Sequence, residues 1–148
     1  MNEVREWLVD TIGAPWMYAL VGGLLSVALI LRVHSAGATH IDMTPIFVVA
    51  VVAGYLYSDG SRRVNTVGTR IGLLGSLAVL WLSRGFFLGL GSQILTAETL
   101  WYGLGGPLFL GLTLGLLVGL AVLAGWLGAA LGGWLATKSG RTRGQPTA

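Results

Sequence analysis

The side chains with chemistry to offer are few and crowd into short polar stretches. His34, His40, Asp42 and Glu98 are such residues, and imidazoles with carboxylates form the donor set of a zinc site. The spacing His34-x5-His40-x-Asp42 matches no established ligand pattern, so these are expected to be solvated loop residues with no metal role. Arg84 alone among ionisable residues interrupts an apolar run. A charge held inside a membrane marks a functional site by default, but Arg84 lies far enough along its run to reach headgroups. It is expected to anchor there by snorkelling, with Glu98 or Asp42 as partner.

The apolar runs hold no Asp, Glu, His or Lys, so no proton relay or cation site can be built within them. Cysteine is absent, which removes disulfides, thiolate metal sites and cysteine nucleophiles. There is no paired carboxylate, no nucleophile beside a base, and no phosphate-cradling loop between a strand and a helix. The expectation is a protein without catalytic residues and without a cofactor.

The most specific pattern is one of small residues. Gly111, Gly115 and Gly119 recur every four positions, as do Ala121, Gly125, Ala129 and Gly133, with Gly128 and Gly132 as a further pair. On a helix such spacing makes a groove that admits a second helix closely, gaining dispersion contacts and weak Cα–H···O bonds. Gly22 with Ser26, and Gly68 with Gly72 and Ser76, repeat the theme. Two small-residue faces on one helix serve two neighbours. Either both belong to this chain, or one belongs to another subunit.

The elements that carry these residues are dictated by composition. Of 148 residues 54% are hydrophobic and only 10% charged, with a mean hydropathy of +0.77. Soluble domains carry about 25% charged residues, so this chain cannot clothe a water-facing surface. Four apolar runs stand out, at 16–31, 43–57, 71–91 and 107–136, each taken as a membrane-spanning helix. Residues 101–136 carry no charge and would measure about 54 Å as one helix, too long for a perpendicular crossing. Pro107 behind Gly105-Gly106 is the expected break, which makes 101–106 interfacial. Residues 1–15 mix charges with Val4, Trp7, Leu8 and Ile12 as an interfacial segment. Their acidic character argues against a cleaved signal peptide. Residues 137–148 form a basic tail expected to be disordered.

Arg5, Arg62, Arg63, Arg70, Lys138, Arg141 and Arg143 fall on one side of this four-span arrangement, against Arg32 and Arg84 on the other. That bias places both termini in the cytoplasm. It also explains the net charge of +3 without nucleic acid. Arg62, Arg63, Arg70, Lys138, Arg141 and Arg143 are the basic residues placed to face anionic lipid.

Several stretches together resemble a family of small multi-span membrane proteins of unknown function found mainly in halophilic archaea. They are Gly22-Gly23-Leu24-Leu25-Ser26, Pro45 followed by Ala53-Gly54-Tyr55-Leu56, residues 68–75, and residues 128–138. Val51-Val52 stand where such families commonly carry a glycine pair. The resemblance implies four spans and no assigned activity.

The sequence thus points to an all-α, polytopic helix bundle in the cell membrane, both termini inside. It is expected to act as an accessory or structural protein through Gly/Ala helix packing, with itself or a larger membrane complex. The alternative is a small oligomeric channel or transporter for an uncharged or weakly charged solute.

Overall fold

The computed structural model describes residues 14–37, 40, 42–57, 61–96 and 100–140. Four helices occupy them: α1 (Ala14–Ser35), α2 (Thr44–Leu56), α3 (Ser61–Leu95) and α4 (Leu100–Lys138). No strand occurs among the described residues. Three helices contain stretches long and apolar enough to cross a membrane, Trp16–Ser35, Val64–Leu95 and Gly105–Lys138, and α2 is a shorter apolar helix. Most of the segment expected at 1–15, and the tail beyond Gly140, lie outside the described residues.

Helix ends follow local chemistry. Asp42 accepts hydrogen bonds from the backbone N–H and the hydroxyl of Thr44, the first at 2.8 Å, at the start of α2. Pro45 follows in the first turn, where a missing N–H leaves no bond unmade. Gly37 and Gly140 take positive φ, 98° and 72°, where α1 and α4 stop. There the Gly37 N–H reaches the His34 carbonyl and the Gly140 N–H that of Thr137, so the chain turns out of each helix in a conformation glycine enters at no steric cost.

α4 runs through Pro107 as one continuous helix, so the break expected there is absent. Proline removes one donor and crowds one carbonyl, and in a helix this apolar the alternative of baring several peptide groups is worse. α3 likewise begins ten residues before the apolar run at 71, taking in Arg62, Arg63 and Arg70.

α2 and α3 form the middle of the bundle, with α1 on one side and α4 on the other. α4 packs most extensively on α3 and then on α2, while α1 packs on α3 and α2 and does not touch α4. Gly68 faces Gly125 and Ala129, Gly72 faces Ala121, and Gly106 faces Ile94, so α3 and α4 run antiparallel. Phe47 meets Gly128 and Val51 meets Gly132, which makes α2 parallel to α4.

The interior is made of small and β-branched residues. Ile46, Ile71, Val67, Val79 and Ser26 are the largest fully buried side chains. Large apolar residues point outward instead: Leu24 is 67% exposed, Trp81 61% and Leu112 73%. A water-solvated core would select the reverse, while small residues inside and leucines outside suit a bundle solvated by lipid. Buried Ser26, Ser76 and Ser83 donate to the carbonyls of Gly22, Leu73 and Val79 in their own helices, which satisfies each hydroxyl without help from a neighbour.

At 1.5 Å per residue α1 measures about 33 Å, α2 about 20 Å, α3 about 52 Å and α4 about 58 Å. The excess lies at one end. Ile46 near the start of α2 meets Gly75, and Ile94 near the end of α3 meets Gly106. The α3–α4 hairpin therefore overhangs the tip of α2 by several turns.

Candidate functional site

Two features of the bundle are built from the residues singled out in the sequence: the small-residue faces of α4 and the basic residues at the end where α1 begins.

On α4 the glycines divide by position along the helix. A β-carbon at Gly125 would sit 2.8 Å from the Gly72 nitrogen, and one at Gly128 would sit 2.6 Å from the Phe47 carbonyl oxygen. A β-carbon at Gly132 would lie 2.7 Å from the Tyr55 nitrogen. These distances leave no room for any side chain, so the backbones themselves are in contact. Ala121 and Ala129 are fully buried in the same seams, where Ala121 faces Gly72 and Ala129 faces Gly54 and Gly68. Gly133 is looser, with Val64 at 3.1 Å from its notional β-carbon.

Gly111, Gly115 and Gly119 are placed differently. Nothing lies within 4 Å of a β-carbon at any of the three. Gly111 and Gly115 instead line an open apolar groove with Pro107, Leu108, Leu112 and Leu116. The seam between helices of this chain and the exposed groove are thus successive halves of one helix. The division of labour among these glycines could not be read from spacing, because the four-residue repeat is the same in both halves.

The second feature is a set of cations stacked on tryptophans. The Arg70 guanidinium lies 4.2 Å from the centroid of the Trp16 ring, joining α3 to the start of α1. Lys138 lies 4.8 Å over Trp134 at the end of α4. Both are at the same end of the bundle, where Tyr18 of α1 packs on Tyr57 at 5.4 Å and the Ser139 hydroxyl reaches that of Tyr55. Such pairs hold a cation over the negative face of the ring. Arg62 and Arg63 belong to the first turn of α3, while Arg141 and Arg143 lie outside the described residues.

At the opposite end Arg84 sits 4.2 Å over Trp81. The partner expected for it was Asp42 or Glu98. Asp42 is engaged by Thr44 instead, and Glu98 is outside the described residues. Helical side chains lean toward the N-terminus of their helix, which carries Arg84 back over the preceding turn. Trp81 and Trp134 stand three and four residues before their cations and were legible in the sequence; Trp16 and Arg70, far apart in the chain, were not.

Among the described residues no three of His, Asp and Glu come together. His34 and His40 are exposed. The Asp42 carboxyl is held below its ordinary value of 3.8, chiefly by the hydroxyl and then the N–H of Thr44, with a smaller contribution from His40. Its chemistry is that of a helix start.

No curated protein and no solved structure matches the chain. A family profile does, over residues 16–135, which take in nearly all of α1 to α4. With its long apolar helices and outward leucines, the chain has the build of a membrane protein and belongs to the family of unknown function DUF5518.

Proposed function

We propose that this chain crosses the cell membrane four times with both termini in the cytoplasm and works as an accessory or structural protein. In this reading it does no catalysis and needs no cofactor or nucleic acid. It associates through α4 with a second copy or with a larger membrane complex. The observation that carries this is the contrast within α4. Gly125, Gly128 and Gly132 are occupied by neighbouring backbones, whereas Gly111, Gly115 and Gly119, of the same type and spacing, meet nothing in the chain. A groove of that shape suits a partner helix, since close backbone approach drives association where lipid offers no hydrophobic gain. The bundle interior, filled by Ile46, Val67, Ile71 and Val79, lends no support to a solute path through the monomer.

The test is the native mass of the protein gently extracted from its own membrane, with Gly115→Leu beside it. Assembly of the wild type and its loss in Gly115→Leu, at unchanged helix content, are the expected results. A wild type that runs as a lone monomer, or a variant that assembles equally well, would overturn the proposal.

A further inference from the structure

Arg70 is half-buried beside α1, and its guanidinium carbon lies 4.2 Å over the Trp16 ring. A guanidinium drawn to a ring face by cation–π attraction still has N–H donors to offer beyond the ring. No hydrogen bond or ion pair from a described residue takes up those donors. The single described carboxylate, Asp42, stands at the other end of the bundle. Lys138, over the Trp134 ring, adds positive charge at the same end. A donor fork with no partner among the described residues, beside a second cation, is suited to a phosphate bound through two oxygens.

The surface leading away from Arg70 identifies the kind of phosphate. Leu73, Leu77 and Trp81 follow Arg70 along one face of α3 at helical spacing and are 47%, 60% and 61% exposed. On α1, Met17 and Leu20 beside Trp16 are 67% and 47% exposed. A cation at the head of an apolar stripe matches a molecule with an anionic head and a hydrocarbon tail. A free phosphate ester would use the fork and leave the stripe bare.

We propose that Arg70, stacked on Trp16, seats the phosphate of an anionic phospholipid whose acyl chain lies along Leu73 and Leu77. The site requires the membrane-spanning reading given above but not the α4 assembly.

The experiment uses the purified full-length protein in a neutral detergent, titrated with phosphatidylglycerol or with phosphatidylcholine. Retained lipid is counted by native mass and the unfolding midpoint is followed in parallel. Wild type should retain phosphatidylglycerol about tenfold more tightly than phosphatidylcholine, a preference that weakens with salt. Arg70→Gln should lose the preference. Arg70→Lys, which keeps the charge and is the safer variant for folding, should keep only part of it, because an ammonium cannot bind in a planar fork. Equal retention of both lipids by wild type would overturn the site, as would an Arg70→Lys variant indistinguishable from wild type. A preference reproduced in full by glycerol phosphate without acyl chains would also overturn it, in favour of a free phosphate ester. Sedimentation with alkaline-washed membranes separates the two levels. A chain washed off the membrane defeats the spanning reading, and one that stays without preferring phosphatidylglycerol defeats only this inference.

Discussion

Gly125 and Gly115 are the same residue ten positions apart on one helix, and their neighbours make them opposites. Gly125 has the backbone of Gly68 and Gly72 against it, while Gly115 has open space. Gly125→Ala should therefore push α3 and α4 apart and lower stability by about 1–3 kcal/mol, the usual cost of overpacking. Gly115→Ala meets no neighbour in the chain and should leave the monomer as stable or slightly more so, since alanine is the better helix former by about 1 kcal/mol. Unfolding midpoints of the two variants in the same detergent decide the matter, and equal losses would sink the distinction. Asp42 gives a second residue-scale test. Its folded pKa is depressed by Thr44, so its contribution is present above the unfolded value and is lost as pH falls through the folded one. Asp42→Asn should flatten the acid limb of the stability profile below about pH 4 and leave the profile at pH 7 and above with the same slope as wild type. A parallel acid limb in both proteins would show that Thr44 is not what holds the carboxylate.

At the scale of elements, apolar runs announced all four helices, because a stretch without charge has few stable fates except a buried or lipid-facing helix. Their lengths were less legible. The run beginning at 71 gave no reason to extend α3 back to Ser61, since Arg62, Arg63, Asn65 and Arg70 are polar; the extension comes from packing, with Val64 and Val67 buried in the core. The break expected ahead of Pro107 failed for the converse reason. A local rule about proline was set against the cost of exposing peptide groups along an otherwise unbroken helix. The candidate sites were readable in part. Four-residue glycine spacing flagged both halves of α4, yet which half is covered depends on where α3 and α2 lie against it, α3 on Gly125 and α2 on Gly128 and Gly132. The placement of those helices is information carried by neither α4 nor its glycines. The Trp16–Arg70 stack was invisible for the related reason that it exists only once α1 is laid beside α3.

For the whole molecule the sidedness of the proposal is open to direct measurement. Protease-cleavable tags placed before Met1 and after Ala148 should both resist a protease added outside intact cells, and both should be cut once the cells are opened. One tag cut outside and one protected would mean an odd number of crossings. α2, at 13 residues, would then be the helix that fails to traverse. The reading of α2 as a crossing would fall, while the backbone seams between α2 and α4 would stand.

The unequal helices have a mechanical corollary. On the proposed placement, lipid touching the α2 side meets an apolar wall about 20 Å high, shorter than the hydrocarbon layer of about 30 Å, while lipid touching α4 meets one far taller. Val48 and Val52 on α2 and Leu108 and Leu112 on α4 are all exposed to carry that contact. A bilayer accommodates such mismatch by thinning beside the short wall and thickening beside the tall one, at fractions of a kcal/mol per Å. The protein is thus a wedge in thickness. So placed, it should tilt the leaflet around it and collect where one membrane region gives way to a thicker one.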